Sequence, residues 1–113
     1  MHEMSIAESV LEIVEATARG NAAARVGTIW LELGALSQVE PDALLFCFDA
    51  VSRGSLAEGA TLEFVRLPGS AWCMPCGDVV EVSRRGDGCP RCGSHQLQVT
   101  GGDEMRVKEI AIA

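Results

Sequence analysis

Cys73-Met74-Pro75-Cys76-Gly77 and Cys89-Pro90-Arg91-Cys92-Gly93 are two Cys-x-x-Cys knuckles, each closed by a glycine. Each presents two sulfurs from one tight turn. The closing glycine lets the turn take a positive φ while backbone N–H groups point at sulfur. Four sulfurs at tetrahedral corners is the arrangement Zn²⁺ accepts most readily, and a site closed by four protein ligands is structural. Residues 77–88 separate the two pairs. That gap is shorter than the about 15–20 residues common in such patterns, but it leaves room for a small hairpin.

Two other uses of four cysteines compete with this reading. Disulfides suit secreted chains, and nothing in the sequence points to secretion. Iron suits rubredoxin-like electron carriers, which wrap the metal in aromatics, whereas this chain has 3 Phe, 2 Trp and no Tyr. Zinc is favoured over both. In such modules roughly 10–16 kcal/mol of metal binding becomes folding free energy, so residues 68–102 are expected to owe most of their order to the metal.

A chain of 113 residues with 48% apolar content supports one ordinary domain, or a small core plus a metal-stapled module. The start M-H-E-M-S-I-A-E is acidic and lacks a basic region followed by an apolar run, so no signal peptide is expected. No apolar stretch approaches the roughly 18–20 residues of a membrane span. The expectation is a soluble, cytoplasmic protein with no membrane partner. Charge is unevenly spread. Residues 68–102 carry Asp78, Glu81 and Asp87 against Arg84, Arg85 and Arg91, so the net charge of −7 belongs to the rest. A nucleic-acid binder carries a basic face or stripe, and apart from Arg84-Arg85 this chain has none. The charge suits a cation or a basic protein surface.

Residues 4–19 read as a helix, with Ile6, Val10, Ile13, Val14 and Thr17 on one face of a 3.6-residue period and Gly20-Asn21 as its stop. Residues 26–34 (V-G-T-I-W-L-E-L-G) read as a strand with Ile29, Leu31 and Leu33 on one face. Pro41 after Glu40 starts a second helix bearing Leu44, Leu45, Phe48 and Val51, with Cys47 expected as a small buried hydrophobe. Residues 60–67 alternate as a second strand. Residues 104–112 alternate as a third, which is expected to return to the first sheet. Inside the cysteine module, residues 79–83 and 96–100 are expected to pair as two short strands. The predicted fold is therefore α+β. A small domain of two helices and a three-stranded sheet (1–67 plus 103–113) carries an inserted zinc-ribbon-like four-cysteine module (68–102), hinged near Pro68-Gly69 and Gly101-Gly102.

Catalytic motifs are missing: there is no G-x-x-x-x-G-K-[ST], no G-x-G-x-x-G at a strand–helix junction and no G-x-S-x-G. With 2 histidines and no nucleophile–base pair, the expectation is a protein that is not an enzyme. His2 is the unusual residue. The α-amino group of Met1, the amide nitrogen between residues 1 and 2, and the imidazole Nδ1 of His2 can chelate one metal in fused rings. Such nitrogen sets favour square-planar Ni²⁺ or Cu²⁺ and leave a fourth position open, which suits transfer. Chemistry alone leaves open whether His2 does this or is an incidental terminal residue. Glu3 is either a weak ligand or plain charge. His95 either decorates the second knuckle or supplies a further donor.

Taken together, M-H-E-M-S-I-A at 1–7, G-A-L-S-Q-V-E-P-D-A-L at 34–44, the paired knuckles with C-P-R-C-G-S at 89–94, and G-G-D-E-M-R-V-K-E-I at 101–110 resemble the HypA/HybF family of hydrogenase nickel-incorporation proteins. The resemblance runs through the whole chain in order. It implies a two-domain nickel metallochaperone with a nickel site at Met1 and His2, Glu3 beside it, and structural zinc on Cys73, Cys76, Cys89 and Cys92. His95 sits where some members place a further nickel donor. The resemblance also implies delivery of Ni²⁺ to the large subunit of [NiFe]-hydrogenase, a maturation GTPase as partner, and in some members service to urease. The family's Gly-Glu-Leu-Ser-Gly loop is altered here, with Ala35 and Gln38 in place of Glu and the second Gly, which bears on partner choice. A homodimer is left open. The alternative is a zinc-ribbon interaction adaptor with no second metal.

Overall fold

The structure is a computed structural model in which residues 3–113 are described. The elements run α1 (Glu3–Gly20), β1 (Val26–Gly34), α2 (Pro41–Val51), β2 (Thr61–Leu67), β3 (Gly69–Cys73), β4 (Asp78–Val82), β5 (Leu97–Gly101) and β6 (Met105–Ile112). The strands form two three-stranded sheets, ordered β2-β1-β6 and β4-β3-β5. This is the α+β class read from the sequence, and β6 does return to the sheet of β1. The chain forms two compact units. One comprises the described residues up to Leu31, Val39–Phe64 and Arg106–Ala113; the other comprises Glu32–Gln38 and Val65–Met105. The second unit thus takes in Glu32–Gln38, a stretch that the sequence groups with the first helices and strands.

In the first unit, α1 packs on α2. Glu3 in the first turn of α1 and Arg19 in its last complement the helix dipole. The buried stripe of α1 is Ala7, Val10, Val14 and Ala18. It is rotated from the predicted one: Ile13 is 50% exposed and Thr17 is exposed, its hydroxyl donating to the Ile13 carbonyl at 2.9 Å. Small alanines let the helix approach closely and carry little hydrophobic signal, which is why periodicity favoured the larger side chains. β1 alternates as expected, with Ile29, Leu31 and Leu33 buried. Pro41 opens α2 after Glu40 at the N-cap, where a missing N–H leaves nothing unsatisfied. Leu44 and Phe48 are buried, whereas Leu45 and Phe46 are exposed. Cys47 is half-buried.

In the second unit, β3 is the central strand. It pairs antiparallel with β4 (Ala71 opposite Val80, Cys73 opposite Asp78) and with β5 (Ala71 opposite Val99, Cys73 opposite Leu97). The two short strands expected to pair with each other therefore both pair with β3, a strand missed in G-S-A-W-C because its inward residues are small. The buried cluster is Leu36, Ala71, Cys73, Val80, Val82 and Cys89. Leu36 is held by its N–H on the Gly102 carbonyl at 2.7 Å, two residues after the Gly34 N–H meets the Glu104 carbonyl at 2.9 Å.

This backbone crossing needs glycine, since a Cβ on Gly34 would overlap the carbonyl of Gly102. Gly34→Ala is expected to destabilise the protein by about 3 kcal/mol, at the upper end of overpacking effects, measured by urea unfolding. Gly20→Ala, where a Cβ would meet nothing within 4 Å, is expected to be neutral or to stabilise by about 0.4–1 kcal/mol.

Candidate metal centre

The two knuckles are built on the β4-β3-β5 sheet. Cys73 ends β3 and Asp78 opens β4 directly opposite, so the first knuckle is the loop of a β-hairpin. Its turn closes with the Gly77 N–H on the Cys73 carbonyl at 2.8 Å, and the second repeats this with the Gly93 N–H on the Cys89 carbonyl at 2.8 Å. Gly77 (φ 62) and Gly93 (φ 77) lie in the left-handed region, which accounts for glycine at both positions. Two further bonds lace the knuckles: the Met74 N–H to the Gln96 carbonyl at 3.0 Å and the Cys89 N–H to the Ser94 carbonyl at 2.8 Å. Across the outside, Arg91 Nη1 meets Asp78 Oδ2 at 3.2 Å. The carboxyl of Asp78 is held below its usual range by the Val79 N–H and then by Arg91.

The Sγ atoms of Cys73, Cys76, Cys89 and Cys92 all lie within 4.8 Å of one another. Cys73 to Cys92 is 3.6 Å and Cys76 to Cys89 is 3.9 Å, and all four cysteines are free thiols. Four sulfurs about 2.3 Å from a central ion in tetrahedral array would stand about 3.8 Å apart. The donor set and its spacing therefore fit a tetrahedral tetrathiolate ion. Cys73 and Cys89 are buried, Cys76 half-buried and Cys92 exposed, so the site opens to solvent on one side.

The knuckles differ electrostatically. The Cys89 thiol is lowered to about 6 by the Cys92 N–H, against the effect of burial, with further help from the Arg91 N–H, whose nitrogen lies 3.4 Å from the sulfur. Cys73 also receives a lowering N–H, from Cys76, but burial and the Cys92 and Cys89 thiols outweigh it and its pKa rises. The residue matching Arg91 in the first knuckle is Pro75, which has no N–H to give. Cys76 is pushed up to about 12 by the thiols of Cys92 and Cys73 and by burial.

The structure thus gathers the four predicted zinc ligands. Met1 and His2, read as a nickel site, lie outside the described residues. Glu3 begins α1, and its Oε2 stands 3.4 Å from the Glu40 N–H at the start of α2, a long hydrogen bond. His95 is exposed and lines a cavity with Arg84 and Arg85; it is not part of the four-cysteine group. Sequence reasoning missed the Arg91–Asp78 pair, which only the opposed register of the knuckles brings together.

Comparison with known proteins follows the same lines. The family model described as "Hydrogenase/urease nickel incorporation, metallochaperone, hypA" matches residues 1–112. A hydrogenase maturation factor HypA from Bradyrhizobium sp. (strain ORS 278) is 58% identical over 112 residues, covering 99% of each chain. A protein of the same name from Albidiferax ferrireducens is 57% identical over the same length and coverage. The solution structure of the Ni metallochaperone HypA from Helicobacter pylori superposes with a TM-score of 0.70 at 24% identity, covering 99% of this chain and 97% of that one. At that identity the likeness shows the fold.

Metal binding at neutral pH must displace the protons of Cys73, raised from 9.0, and of Cys76, raised to about 12. Raised thiol pKa values mean that affinity strengthens as pH rises and weakens as it falls. Co²⁺ or Zn²⁺ affinity is expected to drop at least about hundredfold per pH unit on acidification, as release of those two protons alone requires, read from the thiolate-to-cobalt absorption. Cys76→Ser is expected to remove that absorption and loosen the β3–β4 hairpin.

Proposed function

The chain belongs to the HypA family of hydrogenase/urease nickel-incorporation metallochaperones, which are not enzymes, and from that premise we propose that it carries Ni²⁺ at its N-terminus to a nickel enzyme. The observation that carries this reading is that the family match begins at residue 1, so that Met1-His2-Glu3 falls inside it. The donors are the α-amino group of Met1, the amide nitrogen of His2 and its imidazole, a set suited to square-planar Ni²⁺. Glu3 sits beside them, with His95 as a further donor. Three nitrogens leave one position open, through which the ion departs by ligand exchange.

In this reading residues 1–67 plus 103–113 form the nickel-binding domain and residues 68–102 the zinc-binding domain. Zn²⁺ on Cys73, Cys76, Cys89 and Cys92 is structural. The tetrahedral sulfur spacing and the scarcity of aromatics in residues 68–102, where Trp72 stands alone among Phe, Trp and Tyr, support zinc there. Relatives above half identity bear the name hydrogenase maturation factor, which favours the [NiFe]-hydrogenase large subunit over urease as receiver, with the maturation GTPase of the same system as partner. The chain's net charge of −7 suits a cation carrier and disfavours nucleic acid. Among the described residues no helix is long and apolar enough to cross a membrane.

His2→Ala is expected to weaken Ni²⁺ binding by more than the about 10–100-fold that losing an outer-shell partner costs, with zinc content and fold unchanged. Residues added before Met1 are expected to do the same. Unchanged nickel stoichiometry in calorimetry for either protein would refute the N-terminal site.

A further inference from the structure

One face of the β4-β3-β5 sheet is only partly covered. Ala71 lies opposite Val80 on one side and Val99 on the other, so the three share a face. Ala71 and Val80 are buried there, whereas Val99 is 37% exposed. Beside Val99 lies a cavity of about 220 Å³ with Ala71, Val82, Leu97 and Val99 as its floor and Leu36 in its wall. Its rim carries Arg84, Arg85 and His95 against one carboxylate, Asp87. Asp87 Oδ2 is engaged by the Arg84 backbone N–H at 3.1 Å. Arg85 Nε donates to the Leu36 carbonyl at 3.0 Å, which anchors the guanidinium at the rim without neutralising it. The third arginine of this stretch, Arg91, is paired with Asp78. Among the described residues, then, neither Arg84 nor Arg85 has a carboxylate partner, and a cationic rim over an apolar floor stands on a chain of net charge −7.

We propose that this cavity is a docking site for a short acidic turn segment of a protein partner, an aliphatic side chain seating on Val82, Leu97 and Val99 while a carboxylate one residue away meets Arg84 and Arg85. The volume lies below the roughly 300–1,000 Å³ of small-molecule sites and suits one branched side chain. Guanidinium N–H donors match a carboxylate and a phosphate alike, but the apolar floor gives a phosphate or a ribose nothing to bond and takes an aliphatic side chain. At an exposed rim this pairing chiefly fixes orientation and selects the partner. The inference needs neither Met1 nor His2, only a folded cysteine unit, although His95 on the rim is also the further donor of the proposed nickel site.

The test is a titration of the zinc-loaded, ¹⁵N-labelled full chain with acetyl-Gly-Leu-Glu-Gly-amide. Shifts are expected at the Val82, Leu97 and Val99 amides with affinity in the millimolar range. The Leu-Gln and Ala-Glu versions should each bind about threefold or more weakly, as loss of one exposed contact implies. Arg84→Gln should erase the difference between the Leu-Glu and Leu-Gln peptides. Val99→Glu should abolish the shifts, with the Gly77 and Gly93 amides reporting that the knuckles remain folded. The proposal is overturned if the three amides do not move, if the Leu-Gln peptide binds as well as the Leu-Glu peptide, or if inorganic phosphate or a short oligonucleotide shifts them more strongly.

Discussion

Four sulfur atoms gathered within 4.8 Å of one another are the constraint on which the second unit rests. Its buried cluster is Leu36, Ala71, Val80 and Val82 plus two of the cysteines themselves. A core of that size does not offset the entropy of ordering the surrounding chain, and small modules of this kind rely on a metal or on disulfides. Here the four cysteines converge with no disulfide among them, so a bound cation would complete the core instead of decorating it. The sheet serves the same end. β3 delivers Cys73 at its last residue, and pairing on both sides fixes that residue against Asp78 and Leu97.

The first unit is held by ordinary burial of apolar side chains. Val10, Val14, Ile29, Leu31, Leu44 and Phe48 are almost wholly removed from water, and no special chemistry is needed to keep them there. In the proposed reading this contrast has a functional counterpart. Sulfur ligands in the metal-dependent unit retain their ion because the fold depends on it. A nitrogen set at a chain end can part with its ion at no cost to the fold.

What was legible in the sequence was what depends on near neighbours. The helices, β1 and the knuckles are set by spacing within a few residues, and Pro41, Gly77 and Gly93 mark their turns unambiguously. Strand β3 was not legible, because its inward residue Ala71 gives no alternating apolar signal and one of its two partners, β5, lies far along the chain beyond both knuckles. The buried face of α1 was misjudged for a related reason: Ala7 and Ala18 are buried by the close approach of a second helix, which no property of α1 alone reveals. The cavity was invisible, since Arg84, His95 and Val99 meet only once β4 and β5 flank β3. Arg84-Arg85 stood out in sequence merely as an exception to the acidic charge.

The proline positions carry a consequence for how the sulfur site fills. Pro90 stands one place before Arg91, so the second knuckle keeps the N–H that Pro75 removes from the first, and Cys89 is ionised where Cys73 and Cys76 still hold protons. Of these sulfurs Cys89 is the one whose charge the backbone already stabilises, whereas Cys73 and Cys76 would have to give up protons to bind a cation. Where a proline falls within each knuckle thus decides which half of the clasp has a spare backbone donor to steady a sulfur anion.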